Sequence, residues 1–130
     1  LPSVALLRLL KREFGFYCIE LCAEQPEQPE LTFVVGGCDA AVTRSSMERF
    51  DASSGQWSAV AAMITARRLF GACVVGGELY VTGGRENSNA LSSVEKYSPA
   101  SDLWVAVAPL PAERSFHAAV AVESAMYVLG

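Results

Sequence analysis

The sequence predicts an all-β chain built from successive blades of a β-propeller, with a short helical segment ahead of them. Three observations lead there. The chain matches itself without a gap when shifted by 47 positions, which brings Gly36-Gly37 onto Gly83-Gly84 and Trp57 onto Trp104. Within each copy, short runs rich in Val, Leu, Tyr and Phe alternate with Gly, Pro, Ser and Asp clusters. That is strand-and-turn punctuation, not a 3.6-residue period. A repeat near 50 residues with four strands fits a propeller blade, because one small sheet cannot bury its faces alone.

The elements follow in order. Residues 1–21 carry helix-forming residues and an apolar stripe broken by Arg8, Lys11 and Arg12, and they predict the tail of an upstream helical domain. The basic residues follow the apolar run, the reverse of a signal peptide. Residues 22–30, "CAEQPEQPE", predict an acidic, proline-containing linker. Residues 31–66 predict a partial blade that lacks its innermost strand.

Residues 67–108 predict a complete blade. Its first strand covers residues 70–75 and turns at Gly76-Gly77, where glycine accepts positive φ. The second covers residues 78–82 and ends at the Gly83-Gly84 doublet. The third covers residues 93–97, and "SPASD" turns the chain, with Pro99 unable to donate to a ladder. The fourth covers residues 103–107 and is closed by Pro109 and Pro111. Residues 109–130 predict a second partial blade that stops at Gly130, where the repeat calls for another glycine. One complete and two partial blades make an incomplete propeller. The chain also starts at Leu1 without Met, so it is expected to be a piece of a longer protein.

Composition narrows the function classes. The chain is 52% hydrophobic and 18% charged, which is globular in character. A net charge of -4 argues against nucleic acid or an anionic membrane surface as partner. No apolar run approaches the roughly 20 residues that span a bilayer. Cys18, Cys22, Cys38 and Cys73 form no C-x-x-C pair, and no N-x-S/T acceptor is present. Reduced thiols in a reducing compartment are expected.

The repeated positions carry a resemblance. Each copy has a Gly-Gly doublet, then an aromatic residue, then Trp seven residues later: Gly36, Gly37, Phe50 and Trp57, then Gly83, Gly84, Tyr97 and Trp104. An Arg follows each fourth strand, at Arg67 and Arg114. Over residues 31–130 the chain resembles the kelch-repeat family of β-propellers, most of all the kelch domain of kelch-like (BTB-kelch) proteins. The repeated marks are expected to serve the scaffold. Glu48 and Glu95 also recur, and are expected to pair with Arg67 or Arg114 across a blade seam.

Function is expected where the copies differ. In the kelch-like type, residues just after the doublet and just after the linking Arg line the substrate-binding face. On this chain the resemblance implies Cys38, Asp39, Arg68, Leu69, Arg85, Asn87, Ser115 and Phe116. Arg85 and Asn87 offer forked donors suited to acidic or backbone groups of a peptide. The resemblance further implies the substrate-recognition propeller of a cullin-RING ubiquitin ligase adaptor. Such a protein would bind a protein substrate, reach the cullin and homodimerise through an upstream BTB domain, and work in the cytoplasm, on the cytoskeleton or in the nucleus. Other family members bind actin or act as scaffolds, and a few are enzymes such as galactose oxidase.

No catalytic set stands out. His117 is the one histidine and is expected to pack at a strand start, not to ligate metal. Asp39 and Glu86 occupy similar places after the doublets, but nothing else supports a carboxylate pair. The doublets lack G-x-x-x-x-G-K-[ST], and no helix follows them to hold phosphate. No cofactor, metal or enzymatic activity is expected.

Overall fold

The computed structural model describes residues 6–11, 17–22, 31–40 and 42–130, with side chains from residue 31 onward. No helix is present among the described residues. The first sheet contains β1 (Leu6–Lys11), β2 (Tyr17–Cys22), β3 (Leu31–Val35), β6 (Met47–Asp51) and β7 (Gln56–Val60), in that spatial order. Two short strands, β4 (Cys38–Asp39) and β5 (Val42–Thr43), form a separate hairpin between β3 and β6. The second sheet is β8 (Gly71–Val75), β9 (Glu78–Thr82), β12 (Val94–Ser98) and β13 (Leu103–Val107). Between β9 and β12 lies the hairpin of β10 (Arg85–Glu86) and β11 (Asn89–Ala90). A last hairpin, β14 (Ala118–Val122) and β15 (Ala125–Leu129), begins a third blade. All strand pairs are antiparallel.

The all-β blade architecture predicted from the repeat is present; the described part of the expected helical segment is strand instead. Where the chain is described within residues 1–21, it forms β1 and β2. The rest of that expected helix, and the expected linker beyond Cys22, lie outside the described residues. The first blade also has the inner strand that the sequence withheld. Tyr17 pairs with Val35 as Gly71 pairs with Thr82, and Val35 is the 47-residue equivalent of Thr82. The physical reason is the edge of β3. Its backbone donors and acceptors need a ladder partner, and that demand outweighs a weak helical preference. "YCIELC" also alternates and contains Tyr and Ile, which suit a pleated strand.

The core is the seam between the two sheets. Phe33, Val35 and Met47 come from the first, and Phe70, Val74, Leu79, Val81, Tyr97 and Trp104 from the second, in one buried cluster. Phe33 meets Tyr97 edge-on, with ring centroids 5.7 Å apart. Trp104 is 6% exposed and its indole N–H donates to the Ala61 carbonyl at 2.8 Å. The same aromatic pairing occurs in both blades, with centroids 5.1 Å apart for Phe50–Trp57 and 5.2 Å for Tyr97–Trp104. Yet Trp57 is 47% exposed, because no described residue covers that side of the first sheet. Cys73, buried on β8, packs as a small hydrophobe, and burial pushes its thiol up to about 11.

Polar groups lock this seam. Arg67 is fully buried and donates to the Gly83 carbonyl at 2.7 Å, the Ser93 carbonyl at 3.1 Å and Glu95 Oε2 at 2.5 Å. Glu95 also accepts from the backbone N–H of Ile64 at 2.6 Å and Thr65 at 3.1 Å. Asp102 Oδ1 accepts from Ala61 N–H and from the Tyr97 hydroxyl. Those hydrogen bonds hold the Asp102 carboxyl below its ordinary range. Of the seam pairings expected for Glu95, the structure selects Arg67. Arg114 turns instead to the Gly130 carbonyl at 3.3 Å, the repeat counterpart of the Arg67–Gly83 bond. Glu48 is exposed, since the position of its arginine partner, 47 residues before Arg67, is Glu20.

Replacing Arg67 with Met should destabilise the protein by about 3–5 kcal/mol, because it strands a buried carboxylate. In denaturant unfolding, a double-mutant cycle should couple Arg67 to Glu95 by about 1 kcal/mol or more, and Glu95 to Arg114 not at all. Additive single effects for Arg67 and Glu95 would refute the lock.

Candidate functional site

The doublets shape the face on which the predicted residues lie. Each doublet turns the chain off the second strand and into a two-residue hairpin. The hydrogen bonds that set this path recur at the repeat spacing. Gly36 N–H donates to Ser46 O and Gly83 N–H to Ser93 O, while Gly37 N–H donates to Arg67 O and Gly84 N–H to Arg114 O. Arg44 N–H closes the first hairpin onto Gly37 O as Leu91 N–H closes the second onto Gly84 O. The hairpin tips repeat too: Ala40 and Asn87 are 47 residues apart and both left-handed, with φ of 52° and 55°. Asn tolerates that conformation better than Ala, so the residue type at the second tip has a backbone reason.

The linking segments meet these hairpins. Arg68 and Arg85 exchange backbone hydrogen bonds at 2.9 and 2.8 Å, which fastens the link between the first two blades to β10. A guanidinium N–H of Arg68 donates to the Asn87 carbonyl at 3.0 Å. Asn87 N–H donates to Thr43 Oγ1 at 3.1 Å and so joins the two hairpins. Arg85 Nε–H reaches Ser115 Oγ at 3.3 Å on the next link, and Phe116 N–H donates to the Leu69 carbonyl at 3.0 Å. Leu69 and Phe116 are also equivalent, both with positive φ (55° and 56°). Leu69 is half-buried, while Phe116 is 75% exposed.

All eight predicted residues therefore belong to one set of adjoining loops. Arg68, Leu69, Arg85, Asn87, Ser115 and Phe116 are linked directly by hydrogen bonds. Cys38 and Asp39 join through β5, whose Thr43 pairs with Cys38 and bonds Asn87. Cys38 is a free, half-buried thiol, and Asp39 forms an exposed ion pair with Arg44 at 3.2 Å. Sequence reasoning missed Thr43, Arg44 and Ser88, whose carbonyl accepts from the Arg85 guanidinium at 3.4 Å. They lie in the same diverging stretches, opposite Ala90, Leu91 and Ala41 in the other copy, so the signal was there in the contrast of polar with apolar types. Chemically the face offers guanidinium and amide donors and one exposed aromatic ring. Among the described residues no cluster of His, Cys, Asp or Glu is placed to hold a metal ion.

A family profile, the kelch motif, matches residues 29–64 and 66–111, the stretch that contains both doublets and both aromatic–Trp pairs. The chain belongs to the kelch-repeat family. Its fold is similar to the solved structure of YjhT, with 26% identity and a TM-score of 0.61 over 75% of this chain. The chain spans about 30% of the YjhT chain. A search of curated proteins finds no match.

The doublet ties scaffold to site. A Cβ on Gly84 (φ 90°) would come 2.6 Å from the Arg68 carbonyl, the group that accepts from Arg85 N–H. Gly84→Ala should cost about 3 kcal/mol in unfolding and part the Arg68–Arg85 bridge. Gly76→Ala, at φ 59° with open space around it, should cost about 1 kcal/mol. Equal losses at the two sites would contradict the close approach.

Proposed function

We propose that this chain is part of a protein-binding propeller whose hairpin-and-link face receives a protein substrate, within a substrate adaptor of a cullin-RING ubiquitin ligase. The observation that supports a binding role is the joining of hairpins and links from successive blades. The diverging residues of the repeat adjoin on one face, on a rigid scaffold, and propellers carry recognition in such loops. Arg68 and Arg85 are anchored at their backbones and present cationic heads, and Phe116 supplies exposed aromatic area. Arginine with an aromatic ring is the composition of interface hot spots. The adaptor reading rests on the kelch-like resemblance. It implies a BTB domain upstream that dimerises and recruits the cullin, a cytoplasmic setting, and no chemistry performed by the propeller itself.

Two measurements on the full-length protein test this. A photo-crosslinking residue at Phe116 should capture a defined protein partner that the same residue at Leu103, on the outer strand, does not. Arg85→Ala should weaken that capture at least tenfold while leaving the fold intact by circular dichroism. Co-precipitation should recover a cullin. Failure to bind any cullin sinks the ligase assignment, and equal crosslinking from Phe116 and Leu103 sinks the binding face.

A further inference from the structure

The two seams of this chain differ at one matched pair of positions. In the first seam the pair is Val35 and Phe70, both members of the apolar cluster. Their equivalents, 47 residues on, are Thr82 and His117. Both positions have changed together, from apolar to hydrogen-bonding. His117 Nε2 lies 2.8 Å from Thr82 Oγ1. The ring fills the space left by two glycines: a Cβ on Gly71 would come 2.9 Å from Nε2, and one on Gly83 3.0 Å from Cε1.

The Thr82 hydroxyl has one proton and two acceptors within reach, the Gly71 carbonyl at 3.3 Å and His117 Nε2 at 2.8 Å, so it accommodates either tautomer of the neutral ring. Nδ1 is buried and has no hydrogen-bond partner. In the imidazolium both nitrogens donate, and the buried Nδ1–H would then have no acceptor to satisfy it.

The elements packed around the ring supply little to hold that charge. β8 brings Cys73 as its titratable side chain, neutral because burial raises it to about 11. β9 brings Glu78 and Tyr80, β15 brings Tyr127, and the link brings Glu113 and Arg114. Of these, Arg114 acts on the imidazole and repels a second positive charge, while the Thr82 backbone carbonyl favours that charge as the smallest of the effects.

We propose that His117 is a proton-sensitive latch between the second blade and the β14–β15 hairpin. Neutral, it closes the seam through Thr82. Protonated, it opens the seam and frees the preceding loop, whose Ser115 and Phe116 fasten Arg85 and Leu69. Burial first, and Arg114 second, hold the imidazole below its usual 6.5. The latch is then fully closed above about pH 6.5 and is lost as pH falls through the lower folded value.

The test is amide hydrogen exchange on the full-length protein between pH 7.5 and 5, corrected for the intrinsic pH effect. Protection of β14–β15 should fall several-fold with acid, while β12, at the apolar seam, holds. His117→Phe combined with Thr82→Val, which copies the first seam, should remove the acid loss. The same acid loss in the double variant, or none in the unaltered protein, overturns the latch. An NMR titration of His117 in the unaltered protein serves if that variant fails to fold. A value below 6.5 supports the latch, and a value at or above 6.5 overturns it.

Discussion

The buried pair of Arg67 and Glu95 is the constraint on which the seam depends. Both side chains are essentially out of solvent, at 0% and 2% exposure. Two charges can sit there because they pair with each other and share further hydrogen bonds with the link, the doublet and Ser93, although Arg67 Nε is left without a partner. Glu95 takes two backbone N–H groups of the link, and Arg67 takes carbonyls of the doublet and of Ser93. The pair therefore fixes the link, the doublet and the third strand in one arrangement. Trp104, Phe33 and Tyr97 add burial on that frame, but large rings alone tolerate sliding. A carboxylate that must find two N–H groups and a guanidinium does not.

The link so fixed is also the strand that enters the candidate site. Arg67 faces inward to the lock, and Arg68, the next residue, binds Arg85 and Asn87 on the hairpin face. Rigidity at the seam is thus handed over one peptide bond to the loops. That is a sound way to hold a binding surface, because little ordering is left to be done when a partner arrives.

Much of this was legible in the sequence, for a physical reason. A repeat writes each structural demand more than once, so Gly36 with Gly83, and Trp57 with Trp104, read as scaffold without any alignment. The site was legible by contrast, where the copies part after each doublet. Three things were not. Strand β2 was hidden because its short alternating run sits among helix-forming residues, and pairing with the edge of β3 decides it. The left-handed backbone at Leu69 and Phe116 was hidden because neither residue type advertises positive φ. The Asp102 clamp was hidden because the other copy has Gly55 there, which reads as a turn and nothing more. Gly55 supplies the same positive φ and no carboxylate.

That last contrast has a consequence for assembly. Tyr97 with Asp102 in one blade stands against Phe50 with Gly55 in the other, so the hydroxyl and the carboxylate that receives it come or go together. A chain of similar blades courts mistaken neighbours while it folds. On the wrong surface Asp102 keeps the hydroxyl of its own Tyr97 but loses the Ala61 N–H it accepts across the seam, whereas a blade with Phe and Gly has no such bond to lose. Such a polar difference disfavours a mismatched neighbour for this blade.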